Sequence, residues 1–130
     1  MTMRLLLDTH IALWAIADSR RLSKDARDLI RSPEASIWIS VATIWEIAIK
    51  HAMGKGDMPE SSTVALRYFR DSGYRFLPVE PEHAVAVEAL PMIHRDPFDR
   101  LLIAQAAHEG MILLTSDSVM PKYPGSIRRV

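Results

Sequence analysis

Four acidic residues are the strongest candidates for chemistry in this sequence. They stand beside or inside apolar segments, where a charge needs an explanation: Asp8, Glu46, Asp99 and Asp117. Two carboxylates about 4 Å apart repel each other by roughly 4 kcal/mol at an effective dielectric near 20. A cluster of them therefore requires a cation, and hard oxygen ligands select Mg²⁺ or Mn²⁺. Such an acidic metal site is the usual machinery for hydrolysing phosphodiester bonds.

Three of these acids also have a local explanation. Asp8 and Asp117 each follow an apolar run and can cap the segment after it, because Asp is a favoured N-cap residue. Asp96 and Pro97 form a cap and a first helical position, which puts Asp99 at the third position. A carboxylate there also favours the helix dipole. We assign the cap to Asp96 and leave both roles open for Asp99.

Glu46 is harder to explain locally. It interrupts the segment "VATIWEIAI", which is apolar almost all round and is therefore predicted to be buried. Its local partner is Lys50 at i+4, but such a pair is worth only about 0.2–0.5 kcal/mol on an exposed helix. Ser40, Thr43 and Glu46 recur at every third residue and make a narrow polar stripe. We therefore favour a functional role for Glu46.

The elements that must position these acids alternate between strand and helix. Strands are predicted at 4–7, 36–40, 74–79, 111–115 and 126–130, and helices at 11–17, 24–31, 41–53, 61–70, 81–90 and 97–109. Gly54 and Gly56 mark the end of the third helix. The alternation predicts an α/β fold, a three-layer α/β/α sandwich with a mainly parallel central sheet, in a single domain 1–130. Ligand sites in such sheets lie outside the carboxyl ends of the strands, where Asp8 and Asp117 stand.

Composition narrows the class of protein. The chain has 130 residues, of which 48% are hydrophobic and 25% charged, as in one ordinary globular domain. The absence of cysteine excludes disulfides and thiolate metal sites. No apolar run approaches the roughly 20 residues that span a bilayer, so we expect a cytoplasmic protein without a membrane partner. A net charge of zero weighs against a nucleic-acid partner, unless bound metal ions meet the phosphates.

The order of four blocks resembles the PIN domain, and more narrowly a VapC-type toxin of bacterial toxin–antitoxin pairs. The blocks are "DTH" after an apolar strand, "TIWEIAIK", "HRDPFDRLLIAQA" and "LLTSD", and they extend from about Met3 to Tyr123. The resemblance implies a metal-dependent endoribonuclease that hydrolyses RNA with water activated at one or two Mg²⁺ or Mn²⁺ ions. It also implies a homodimer and inhibition by a small cognate antitoxin. By this resemblance, the catalytic residues and metal ligands are expected to be Asp8, Glu46, Asp99 and Asp117.

Further positions are candidates for ordering the metal, its waters or the substrate: Thr9, Thr43, Arg100 and Ser116. Two positions depart from the resemblance. His10 stands where many relatives have Asn or Ser, and Ser118 stands where some have another acid. Of the five histidines, His10 and His94 lie near the predicted site, and we interpret both as surface or capping residues rather than metal ligands.

Other classes of protein fit these residues less well. A receiver domain needs a phosphoacceptor Asp after its central strand, where this chain has Glu80 and Pro81. A haloacid-type phosphatase needs an Asp two residues after the first one, where this chain has His10. The remaining alternative is a non-catalytic PIN fold that only binds RNA or a protein. Such a member is expected to have lost an acid, so the presence of all four favours the nuclease.

Overall fold

Five strands form one parallel sheet in the computed structural model, which describes residues 2–54, 58 and 60–130. They are β1 (Met3–Leu7), β2 (Ala35–Ser40), β3 (Arg75–Leu77), β4 (Ile112–Thr115) and β5 (Ile127–Arg129). Their order is β3-β2-β1-β4-β5, and every neighbouring pair is parallel. The predicted α/β fold with a parallel sheet is confirmed.

Six α-helices cover the sheet in the described part of the chain. They are α1 (Thr9–Ile16), α2 (Lys24–Arg31), α3 (Val41–Ala52), α4 (Ser62–Asp71), α5 (Pro81–Ala86) and α6 (Pro97–Glu109). All of these except α5 begin at an Asp or Ser whose side chain accepts a backbone N–H of the first turn. The helix boundaries therefore follow from short polar residues that stand just before apolar periodic segments.

The two faces of the sheet are both buried, which makes three layers. Along β1, Leu5 and Leu7 pack in one core cluster with α1, α2, α4 and part of α3, while Leu6 packs in a second cluster with α6. This alternation is the two-residue period of a strand. It also explains the consecutive leucines Leu5–Leu7 of β1, since each successive side chain enters one of the two cores.

Proline limits two of the predicted elements that end earlier than expected. The predicted strand 74–79 ends at Leu77, because Pro78 has no N–H to donate to the sheet. The predicted helix 81–90 ends as α5 at Ala86 and continues as a 3₁₀ turn over Val87–Ala89. Leu90 precedes Pro91 and adopts an extended backbone, as residues before proline prefer. Gly54 follows α3 with a φ of 66°, whereas Gly56 lies outside the described residues.

No helix in residues 2–54, 58 and 60–130 is both long and apolar enough to cross a membrane.

The carboxyl ends of the central strands meet at one edge of the sheet. Leu7 of β1 is in register with Leu114 of β4, and the backbone N–H of Asp8 donates to the carbonyl of Leu114. At the end of β2, the Ser40 hydroxyl donates to the side-chain oxygen of Gln105 at 2.6 Å. This last bond joins α6 to the start of α3. The fold thus brings β1, β4, α3 and α6 to one place.

We expect the centre of β1 to dominate stability. Leu6 is fully buried, so Leu6→Ala should lower the free energy of unfolding by about 2–5 kcal/mol through lost burial and a residual cavity. Urea denaturation followed by circular dichroism measures this change. Met92, whose exposed fraction is 79%, provides the control, since Met92→Ala should alter stability by less than about 0.5 kcal/mol. Similar losses in the two variants would contradict the assignment of the core.

Candidate metal centre

Asp8 lies at the end of β1 and is only 4% exposed. One carboxyl oxygen, Oδ1, accepts the backbone N–H of Ile11 at 2.9 Å and so caps α1. The other, Oδ2, accepts the hydroxyl of Thr115 at 2.5 Å. Burial raises the pKa of Asp8, and these two hydrogen bonds oppose the shift only in part. The predicted cap is therefore present, and the same carboxylate also reaches across to β4.

Asp99 and Asp117 approach each other around an imidazole ring. Nε2 of His94 lies 3.1 Å from Oδ2 of Asp99 and 3.0 Å from Oδ2 of Asp117. Each of these three residues offers a ligand atom within 4.8 Å of the others. They form one of the two groups of potential metal ligands in the described part of the chain.

The ionisation of these two acids differs. Burial, followed by the negative charge of Asp96, raises the pKa of Asp99 to about 7, and the charges of Asp8 and Glu46 add to the rise. For Asp117, burial works against ionisation, but the hydrogen bonds from the Val119 N–H and from His94 outweigh it and lower the pKa. The surroundings of Asp99 thus leave its negative charge incompletely compensated, whereas those of Asp117 favour the charged form.

Asp96 carries the cap that the sequence assigns to it. Its Oδ1 accepts the backbone N–H groups of Phe98 at 2.8 Å and of Asp99 at 3.1 Å. This prediction is confirmed. Because Asp96 satisfies the first N–H groups of α6, the carboxylate of Asp99 is free to turn toward His94 and the sheet edge.

Glu46 is buried, with an exposed fraction of 3%. Its Oε1 accepts the Thr9 hydroxyl and its Oε2 accepts the Lys50 ammonium group, each at 2.6 Å. Burial lowers the pKa of Lys50, but the hydrogen bond and charge of Glu46, with Asp96 and Asp99, outweigh it and raise the pKa. Glu46 thus makes the i+4 pair, and it also belongs to the same electrostatic site as Asp99.

The remaining predicted positions divide into two groups. Thr9 and Thr43 lie beside Glu46, with their hydroxyl oxygens 3.4 Å apart. Ser116 contributes its carbonyl, which accepts from the side chain of Arg129 at 3.4 Å. Arg100 is buried and donates to four backbone carbonyls in residues 87–94 and to the hydroxyl of Tyr123. Its bonds therefore hold the loop before α6 in place and are not directed at the acids.

Thr115 is a site residue that the sequence reasoning missed. It is fully buried, and its hydroxyl donates to Asp8 while accepting the backbone N–H of Asp117 at 3.0 Å. One hydroxyl thereby links the acids that follow β1 and β4. The available signal was a Thr two residues before an Asp at a strand end, a spacing at which Thr commonly accepts a backbone N–H.

The two histidines near the site have different surroundings. His10 is exposed and its ring lies 5.8 Å from the ring of Trp14, in keeping with a surface role. The side chain of His94 is only 17% exposed, and its Nδ1 accepts the backbone N–H of Asp96 at 3.1 Å. That contact agrees with the predicted capping role. The contact of the same ring with both acids is an additional feature that the sequence did not indicate.

The fold and the acidic edge define a three-layer α/β protein with a candidate metal centre at the carboxyl ends of its parallel strands. The PIN domain family matches residues 5–126, and the chain therefore belongs to that family. A search of curated proteins gave no significant match.

Solved structures with the same fold include chains of three VapBC structures. A chain of VapBC2 from Rickettsia felis, bound to a DNA fragment from its promoter, superposes with a TM-score of 0.73 at 16% identity, covering 98% of this chain and 99% of that one. DNA-bound VapBC from Salmonella typhimurium gives 0.66 at 16% identity, with coverage of 99% and 98%. VapBC-1 from nontypeable Haemophilus influenzae gives 0.57 at 16% identity, with coverage of 98% for both chains. At these identities the similarity establishes the fold.

The link between β1 and β4 is testable at Thr115. Thr115→Val keeps the shape but removes the hydroxyl, leaving the buried Asp8 carboxylate without one donor, and should lower the free energy of unfolding by about 1–3 kcal/mol. Thr115→Ser retains the hydroxyl and is the matched control. Chemical denaturation of both variants measures the difference. Equal stability of the Val and Ser variants would show that the hydroxyl does not join the two strands' acids.

Proposed function

We propose that this PIN domain is a metal-dependent endoribonuclease and the toxin of a VapC-type toxin–antitoxin pair. The observation that carries the proposal is the meeting of Asp99 and Asp117 beside Asp8, at the carboxyl edge of a parallel sheet. The fold shared with three VapBC complexes supports the biological role. A small cognate antitoxin and a second copy of the chain are the proposed protein partners, and RNA is the proposed substrate.

The donor set fits a divalent cation. Asp8, Glu46, Asp99 and Asp117 offer carboxylate oxygens, the ligands that Mg²⁺ and Mn²⁺ prefer. Without a cation, burial and mutual repulsion raise the pKa of Asp8 and bring that of Asp99 to about 7, as expected where negative charge exceeds its local compensation. These four residues would hold one or two ions. When bound, such an ion activates water and offsets charge on the attacking and leaving oxygens of a phosphodiester.

The protein's own contribution is to hold these acids in place. Thr115 orients Asp8, and the Val119 N–H orients Asp117 through a bond of 2.6 Å to its Oδ1. Thr9 orients Glu46 from the first turn of α1. Lys50 keeps 30% of its side chain exposed, so its ammonium group can attract a phosphate while it remains close to Glu46. This local positive charge is compatible with a net charge of zero for the whole chain.

Metal binding should stabilise the folded protein. Mg²⁺ or Mn²⁺ relieves the repulsion among the acids and binds only the folded state, so at 100 times its Kd it adds about 2.7 kcal/mol and raises Tm. A thermal melt with either chloride, against NaCl at matched ionic strength, measures this effect. Asp99→Asn should remove most of the rise. A wild-type Tm that responds to neither metal would rule out the proposed centre.

Catalysis should depend on Asp99. Asp99→Asn removes one charge from the cluster and should abolish cleavage of RNA, as read from a gel of total RNA after incubation with Mg²⁺ or Mn²⁺. Asp71→Asn, at the end of α4, is the matched control and should cleave like the wild type. Full cleavage by Asp99→Asn would contradict the assignment. A wild type that binds RNA and metal but cleaves nothing would instead favour the non-catalytic alternative.

Expression in cells tests the toxin role separately. The chain produced alone should arrest growth, and co-expression with the product of the neighbouring small reading frame should restore it. Mapping the ends of cleaved RNA during arrest then identifies the substrate. Normal growth with abundant folded protein and no cleaved RNA would argue against a toxin.

A further inference from the structure

The imidazole of His94 occupies a built position between two candidate metal ligands. Its Nε2 is 3.1 Å from Oδ2 of Asp99 and 3.0 Å from Oδ2 of Asp117. The side chains of all three are partly buried, with exposed fractions of 17%, 21% and 32%. Geometry of this kind fits two different roles, a third ligand to a cation or a hydrogen-bond donor to the two acids.

The other ring nitrogen distinguishes these roles. The backbone N–H of Asp96 donates to Nδ1 of His94 at 3.1 Å, so the lone pair of Nδ1 is already used. A neutral imidazole carries its proton on the nitrogen that is not an acceptor, which here is Nε2. A protonated Nε2 has no lone pair for a cation. His94 is therefore a hydrogen-bond donor to Asp117, with Asp99 in close contact with the same nitrogen, and it is not their fellow ligand.

The loop around His94 is fixed by buried groups. The backbone N–H of His94 donates to the Tyr123 hydroxyl at 2.7 Å, and its carbonyl accepts from Arg100 at 3.4 Å. Tyr123 is 3% exposed and Arg100 is 8% exposed. Both ends of the residue are thus anchored, and the ring is directed toward the acids by its contact with Asp96. Arg100 acts on the site through this loop.

We propose that His94 is a positioning residue for the candidate metal centre. Its Nε2–H donates to Asp117 and lies close to the carboxylate of Asp99, and so holds the two acids together. The proposal rests on the function proposed above, because it takes these two acids as metal ligands. A carboxylate has about four lone-pair sites, so one bond to His94 leaves room for a cation. Without this donor, the two negatively charged carboxylates would repel each other and move apart. Part of the free energy of metal binding would then be used to bring them together, and the metal affinity would fall.

Substitutions of His94 can test the roles of its two ring nitrogens one at a time. The amide nitrogen of Gln can take the place of Nε2, whereas the shorter Asn side chain reaches only as far as Nδ1. The measurement is the Mn²⁺ affinity of purified protein by titration calorimetry. We expect His94→Asn and His94→Leu to bind Mn²⁺ about 10- to 100-fold more weakly, as is typical when a partner of a metal ligand is lost. His94→Gln should stay close to the wild type.

An exposed histidine provides the control. His51 lies in the last turn of α3 and is in neither group of potential metal ligands in the described part of the chain, so His51→Asn should leave the Mn²⁺ affinity unchanged. Equal affinity of the wild type and His94→Asn would overturn the role of His94 and leave the metal centre intact. Absence of Mn²⁺ binding by the wild type would instead overturn the proposed metal centre, and the positioning role with it.

The tautomer can be observed directly in the metal-free protein. Ring ¹⁵N NMR should show His94 protonated on Nε2, and Asp99→Asn and Asp117→Asn should each shift its Nε2 resonance. A ring protonated on Nδ1 would contradict the proposal whatever the metal affinities are. Circular dichroism of each variant verifies that the fold is retained.

Discussion

The parallel pairing of β1 with β4 concentrates negative charge at one edge of the sheet, and the surrounding structure compensates for it. Because the two strands run in the same direction, Asp8 and Asp117 leave the sheet side by side. The hydroxyl of Thr115 joins them, donating to the first and accepting the backbone N–H of the second. The Thr115 hydroxyl is a polar group buried inside an apolar sheet. Its burial is tolerated because its hydrogen bonds to both acids are made.

Each acid is compensated by a different kind of group. Asp8 receives a hydroxyl and a backbone N–H, Glu46 receives a hydroxyl and a lysine ammonium, and Asp117 receives a backbone N–H and an imidazole. Asp99 shares that imidazole, and the charge of Asp96 lies close to it. Burial and the charge of Asp96 raise the pKa of Asp99 to about 7, so its negative charge is only partly compensated. A divalent cation near Asp99 and Asp8 would offset this uncompensated negative charge.

Sequence patterns predicted the parts of this protein that depend on local order. Alternating strands and helices, the cap at Asp96 and the position of Asp8 at a strand end all follow from neighbouring residues. The partners of Arg100 could not be predicted, because its guanidinium bonds to carbonyls that only the folded loop brings within reach. The contact of His94 with two acids depends on the packing of three separate segments. The position of Thr115 two residues before Asp117 is a local pattern from which its hydrogen bond to the Asp117 N–H is predictable, but its bond to Asp8 depends on the pairing of β1 with β4.

A capping role and a site role do not compete, because a carboxylate has two oxygens. Asp8 uses one oxygen to start α1 and the other to meet Thr115, so the cap fixes the orientation that the site requires. At α6 the two roles fall on different residues. Asp96 accepts the first N–H groups of the helix, including that of Asp99 itself. The backbone N–H of Asp99 is bound by Asp96, whereas the carboxylate of Asp99 remains available to contact His94 and a cation. The start of α6 therefore directs this acid toward the edge of the sheet.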